Sequence, residues 1–426
     1  MKRTAIFLVA MAFISLQAFS QSRITIEECY QKAQDNYPAI EQYDLIEKSK
    51  SFNLENASKG YLPQITFSAK ASYQSDVTKL PIDISQLGIG GFQVPELSKD
   101  QYGLTLDINQ TIWDGGQIKT LKENIKSKAD VQRKNLQVNI YSINARVNQI
   151  YFGILLADAQ IKQNNLLKEY LHNSYNKVEA YVRNGIAHQA DLDAIRIDQL
   201  KAEQNEIEYL STRKAYIAML SKLTGCDLTS ETEFVRPDMI RPASNEVKRF
   251  ELDLYKSQIQ EYEIENRKIT VDLYPKIGLF VTGGYGKPGL NMLENKFSTY
   301  YTAGVKLSWN IGSFYSLKNN RKLVRNNIDM VINQQKSFLF DLDMELIQKN
   351  IVLDKYFDQL KYDDEIISLK GSVREASEAK IAGGTISGTD LMQDVNAEHA
   401  AKQDKVLHEI QLLMVIYDLK YTTNNY

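Results

Sequence analysis

Few side chains in this sequence could ligate a metal, attack an electrophile or cradle a phosphate, and their spacing argues against each of those chemistries. The four histidines, His172, His188, His399 and His408, show no paired ligand spacing. His408-Glu409 opens like a zinc-protease motif but has no second histidine. Gly283-Gly284-Tyr285-Gly286-Lys287 has the composition of a phosphate loop, yet Pro288 stands where Ser or Thr is needed and the spacing is wrong. It reads as strand-end and loop glycines. Cys29 and Cys226 are the two cysteines of the chain, a candidate disulfide in an oxidising compartment. Asp191 and Asp390 each open a helical stretch, where a carboxylate offsets unpaired amides and the helix dipole. No nucleophile–base pair, metal set or cofactor fingerprint emerges, so the chain is not read as an enzyme.

Composition narrows the classes further. The 426 residues carry 51 Lys and Arg against 53 Asp and Glu, a balance that excludes a general nucleic-acid binder. An apolar fraction of 43%, with 25 Tyr and 15 Phe, excludes disorder. Mean hydropathy is −0.37, and no apolar run after residue 20 approaches the roughly 18 residues of a membrane helix. Lys2 and Arg3 precede the apolar run Ala5–Leu16, and Ala18-Phe19-Ser20 supplies small residues before a cut. Residues 1–20 are therefore expected to be a secretory signal peptide.

The elements that would position anything else come in two copies. At an offset of 199, Tyr102 meets Tyr301, Gly185 meets Gly384, and Asp191-Leu192 meets Asp390-Leu391. Upstream the offset is 212, where Pro63 meets Pro275, because the loop 76–100 is longer than its counterpart 286–298. The sequence thus divides into repeats 21–225 and 248–426, joined by an irregular linker 226–247 bearing Pro237 and Pro242.

Each repeat holds two strands of period two. Ile65, Phe67, Ala69, Ala71 and Tyr73 alternate with Thr66, Ser68, Lys70 and Ser72, and residues 102–113 repeat the pattern. Strands at about 275–286 and 300–312 place Ile277, Leu279, Val281, Val305 and Leu307 on their apolar faces. Each is long enough to cross a bilayer when tilted. Aromatics collect at both ends: Tyr61, Trp113, Tyr274 and Trp309 at one, Tyr73, Tyr102, Tyr285 and Tyr300 at the other, as interfacial girdles do. A soluble sandwich would share the alternation.

After each strand pair comes an extraordinarily long helical stretch. Residues 117–183 contain no proline, and Leu136, Ile140, Ile143, Val147, Ile150, Ile154, Ala157 and Ile161 form a heptad seam. At 1.5 Å per residue the rod is roughly 100 Å long. It folds back at Asn184-Gly185, and its counterpart at Gly383-Gly384, onto helices at about 190–224 and 389–421. Helices at about 25–59 and 246–272 precede the first strands. Stacking these shorter helices end to end beside the rods would bring Cys29 near Cys226.

The phrases Ile24–Pro38 (ITIEECYQKAQDNYP), Gly60–Ile65 (GYLPQI) and Asn109–Gly116 (NQTIWDGG), in this order and within this duplication, resemble the TolC family of outer membrane efflux proteins. The resemblance covers essentially the whole mature chain. It implies a mainly helical fold with membrane strands: a homotrimer whose twelve strands, four per chain, form one barrel in outer membrane lipid, continued by a periplasmic helical barrel. It implies a passive exit duct in the outer membrane of a Gram-negative bacterium, joined by a periplasmic adaptor and an inner membrane transporter. The adaptor would meet the tips Gly185-Ile186-Ala187-His188 and Gly384-Thr385-Ile386-Ser387. A family ring of acidic residues narrows the pore near the second tip. Asp390 matches its first position, Gln393 replaces its second acid, and Asp191 is the counterpart in the first repeat. A family arginine is replaced by Ile386. An outlet for protein secretion or metal export is a sister reading, and a periplasmic coiled-coil scaffold without a pore is the alternative of another class.

Overall fold

The protein is described by a computed structural model covering residues 23–78, 97–383 and 385–426. The signal segment 1–20 and the centre of the loop 76–100 lie outside these residues. In chain order the elements are β1 (Arg23–Ile24), α1 (Ile26–Asn36), α2 (Gln42–Lys59), β2 (Gln64–Tyr73), β3 (Asp100–Trp113), α3 (Gln117–Tyr141), α4 (Ile143–Arg183) and α5 (Gln189–Thr224). There follow β4 (Glu233–Phe234), α6 (Phe250–Val271), β5 (Lys276–Lys287), β6 (Ser298–Ser308), α7 (Ser313–Ala382) and α8 (Gly388–Thr423). Contacts group the chain into two compact units. A helical unit takes residues up to 42, 135–252 and 336–426, and a sheet unit takes 43–134 and 253–335.

The sheet unit is built on one antiparallel sheet of order β2-β3-β5-β6. Register aligns the alternation across all four strands: Phe67 lies opposite Leu106, Ile108 opposite Val281, and Leu279 opposite Val305. The apolar residues share one face and the polar residues the other, except that Gln110 stands in the apolar row and Phe280 and Tyr300 on the polar face. Burial runs opposite to that of a soluble sheet, because Ile65, Phe67, Val305 and Leu307 are 65–68% exposed. Gln110, which interrupts the apolar row, donates its side-chain amide to the Tyr61 carbonyl at 2.7 Å. The last strand ends at Ser308, short of the expected 312. There Trp309 leaves the ladder and donates its indole N–H to the Leu273 carbonyl at 2.9 Å.

In the helical unit the heptad seam is an intrachain core. Val147, Ile150, Ile154 and Ala157 are at most 3% exposed, on a helix packed against both α5 and α8. Two expected helices are interrupted. Tyr37 is extended (φ −69°, ψ 127°) before Pro38, which ends α1 and starts a short 3₁₀ turn, because a residue preceding proline avoids the helical region. At Ser142 the side chain bonds back to the Asn139 carbonyl at 2.7 Å, and the long stretch divides into α3 and α4 there. In α7, Lys349 donates to Thr422 Oγ1 at 2.8 Å and pairs with Glu345 at 2.6 Å.

The linker is less irregular than its prolines suggest. β4 pairs in parallel with β1, and the fully buried Tyr151 hydroxyl lies 2.9 Å from the Ile24 carbonyl and 2.7 Å from that of Val235. Cys29 and Cys226, the candidate disulfide, are both free thiols. They do sense one another. Burial, then the proximity of Cys226, pushes the Cys29 thiol up to about 12. The Cys226 sulfur instead faces the Thr224 carbonyl, at 3.7 Å, just past the end of α5.

Tyr151→Phe keeps the ring packing but strips the hydroxyl from two backbone carbonyls. It is expected to cost about 1–2 kcal/mol, read as a lower denaturant midpoint with an unchanged slope.

Candidate functional site: the helical tips

The tips are two helix-to-helix turns. The first is a Schellman closure: Gly185 N–H returns to the Val182 carbonyl (3.0 Å) and Ile186 N–H to that of Tyr181 (2.9 Å). It requires Gly185 at φ +74°, where a Cβ would be strained. In the second turn Thr385 N–H returns to the Lys380 carbonyl at 3.0 Å, the same long closure. Gly384 lies outside the described residues. Ile186, His188, Thr385 and Ser387 are exposed, whereas Ala187 and Ile386 pack against a core of Leu171, Val178, Ile195, Ile381 and Leu391. Ile386, at the position of the family arginine, is thus a packing residue.

The two candidate carboxylates have different environments. Asp390 is exposed and closes a capping box with Ser387: its Oδ2 accepts the Ser387 hydroxyl (2.7 Å) and N–H (3.1 Å), while its own N–H donates to Ser387 Oγ (3.2 Å). The hydroxyl bond and then the N–H bond hold its carboxyl below the ordinary aspartate value. This cap is complete at neutral pH and is lost as pH falls through that lowered value. Gln393, one turn on, is exposed beside it, while Leu391 and Met392 between them are buried.

Asp191 is not a surface group. It is 7% exposed, its Oδ2 accepting His188 N–H at 2.9 Å and its Oδ1 accepting Gly388 N–H at 2.6 Å. One carboxylate therefore caps its own helix α5 and the neighbouring α8. The approach is close: a Cβ on Gly388 would stand 2.6 Å from that of Asp191. Asp191, a pore-constriction candidate from the sequence, is thus buried, with each oxygen accepting a backbone amide inside the tip.

Sequence reasoning missed Gly388 and the polar lacing that follows. Asp198, two turns beyond Asp191, accepts the Asn396 amide at 2.8 Å, and Tyr170 donates to Glu378 at 2.6 Å. Arg374 joins Glu378 and Glu398, with its guanidinium over the Tyr170 ring. Burial opposes its charge, but the bonds to Glu398 and Glu378 hold it above the ordinary arginine value. A clue lay in the sequence: Asp191 and Asp198 at i, i+7 share one face of α5.

Among the described residues no group of three His, Cys, Asp or Glu could hold a metal ion. No helix among them is long and apolar enough to cross a membrane, a statement that does not bear on strands.

A family model described as outer membrane efflux protein matches residues 4–226, just over half of the chain. The sequence has no significant match among curated proteins. Among solved structures, a membrane protein from Pseudomonas aeruginosa superposes with a TM-score of 0.68 at 13% identity, over 93% of this chain and 90% of that one. CusC, described in terms of folding and transmembrane channel formation, follows at 0.66 and 13% identity, over 93% and 91%. The outer membrane protein VceC from Vibrio cholerae gives 0.65 at 10% identity, over 93% and 95%. These likenesses establish the fold: a mainly helical chain carrying the strands of a β-barrel beside long helices.

Asp191→Ala leaves two helix-start amides without their acceptor in a buried site and is expected to cost about 1–3 kcal/mol. Hydrogen exchange should show lost protection at both tip turns. Asp390→Asn, at an exposed cap, should loosen only its own turn.

Proposed function

This chain belongs to the outer membrane efflux protein family, and on that footing we propose that it is the outer membrane exit duct of an efflux pump, conducting small molecules passively as a homotrimer. The observation that carries the reading is the inverted sheet. A ten-residue strand spans a bilayer when tilted, and here the face carrying Phe67, Leu106, Val281 and Val305 has no cover among the described residues of its own chain. Hydrocarbon is the solvent that suits it. Strands β2 and β6 are open edges, and in lipid each unpaired backbone group costs several kcal/mol. Sister copies would pair those edges into one barrel.

The helices support the same assembly. On α7, Phe340, Met344, Ile347 and Ile351, and then Tyr362, Ile366, Leu369 and Val373, recur at spacings of four and three, all exposed. Ile197, Leu200, Ile207 and Leu210 leave a second apolar row uncovered on α5. Neighbouring copies are the natural cover for both rows. A pore-free scaffold would explain these rows but would leave the sheet's apolar face in water.

Residues 1–20 act as the export signal in this reading, and the two sequence repeats descend from a duplication. The protein resides in the outer membrane. A periplasmic adaptor and an inner membrane transporter meet it at the exposed tip positions Gly185, Ile186, His188, Thr385 and Ser387, and the transporter supplies the energy. Asp390 and Gln393, exposed side by side, face the tunnel. With one acid where the family has two, the ring favours cations more weakly.

The mature protein, extracted from outer membranes, is expected to run as a detergent-dependent trimer whose migration is heat-modifiable. A detergent-independent monomer would refute the assembly. Val305→Lys, on the apolar face, should block outer membrane assembly at a cost of about 2–4 kcal/mol near mid-bilayer, whereas Thr302→Lys on the opposite face should assemble.

A further inference from the structure

On the polar face of the sheet, at the end joined to the helices, two lysines stand close together on neighbouring strands. Lys276 of β5 pairs with Ser308 of β6, and Gly278 pairs with Lys306. The lysines are therefore diagonal neighbours on adjacent strands, with Cα atoms about 7–8 Å apart, within mutual reach of their long side chains. Both are exposed. They border a recess of about 200 Å³ that is also lined by Asn109, Thr111, Gly278 and Ser308 of the polar face and by the intervening Gln110, Ile277 and Leu279.

Two further features shape this recess. Gly278 sits between Lys276 and Phe280 on the polar face and opposite Thr111 and Lys306, so its missing side chain leaves a backbone floor. Beside it the β3–β5 register shifts between Thr111 and Trp113, a bulge of the kind that re-aims side chains next to functional sites. Charge points the same way. Across the paired strands the polar face carries Lys70, Lys276 and Lys306 against Asp107 alone. Asp107 is already engaged, accepting Thr282 Oγ1 at 2.5 Å and Thr105 Oγ1 at 3.4 Å.

We propose that this recess is a way-station for anionic cargo, binding carboxylate or phosphate groups transiently on the water side of the barrel. Two ammonium groups, a carboxamide and two hydroxyls supply the donors that an oxyanion needs, and the charged ones make the strongest bonds. Lipid headgroups do not compete, because these donors all stand on the face opposite the apolar one. The inference rests on the channel reading, which would bring three copies and six lysines around one lumen. Its sign is opposite to that of Asp390 at the tip.

The test is single-channel recording in bilayers of uncharged phosphatidylcholine, with citrate as the anionic probe at low salt. Citrate should block the wild-type protein and the Lys276→Arg/Lys306→Arg double variant at similar concentrations. For Lys276→Gln/Lys306→Gln the half-blocking concentration should rise about tenfold, and the difference should shrink as salt is raised. Lys70→Gln, on the same face but at the far end of the sheet, should leave the block unchanged. Equal block of the wild-type and the double Gln variant would overturn the proposal, as would an equal shift with Lys70→Gln, which would indicate a diffuse field. A wild-type protein that inserts and conducts nothing would remove the channel reading itself, and the proposal with it.

Discussion

A backbone amide in hydrocarbon has no partner except another strand or its own helix. That constraint governs this molecule. The order β2-β3-β5-β6 satisfies the inner ladders and leaves two rows of polar groups at the edges. Water could satisfy them, but water is the wrong solvent for the face bearing Phe67 and Val305. Further strands meet both demands, and the proposed assembly of sister copies would supply them. In that proposed assembly the uncovered rows on α5 and α7 would gain a neighbour to pack against. One requirement at the sheet thus carries through to the helices.

At the tips the same accounting of backbone groups takes a local form. Each turn exposes helix-start amides and helix-end carbonyls, and each is closed by residues within a few positions: Gly185 for the carbonyls, Ser387 and Asp390 for the amides. Asp191 departs from this pattern by capping two helices at once. A carboxylate shared in this way couples two turns far apart in sequence, so movement at one is felt at the other. Asp390, exposed and capping only its own helix, is tied to its own turn alone.

The parts of the fold that were legible in the sequence are those set by neighbouring residues. Period-two alternation located the strands, because successive side chains in a strand point to opposite faces. Heptad spacing located the buried seam of α4, and glycine with an aspartate a few residues later located both tips. The misjudged ends have local causes as well. Pro38 ended a helix that the pattern ran through, and Trp309 left a strand because its indole found the Leu273 carbonyl. The two cysteines were a candidate pair; the fold brings Cys226 into the range of Cys29 and turns its sulfur to a backbone carbonyl.

What the sequence determined alone was therefore the list of elements, the two faces of each strand and the capping residues, all consequences of backbone periodicity within a few positions. Tertiary structure decided the partnerships. It paired β3 of the first repeat with β5 of the second, so that neither repeat is a compact unit and both units draw on each. It joined Asp191 to Gly388, and it set Lys276 diagonal to Lys306. Such choices depend on register and on contacts between distant segments, and no local pattern encodes which of several compatible faces will meet.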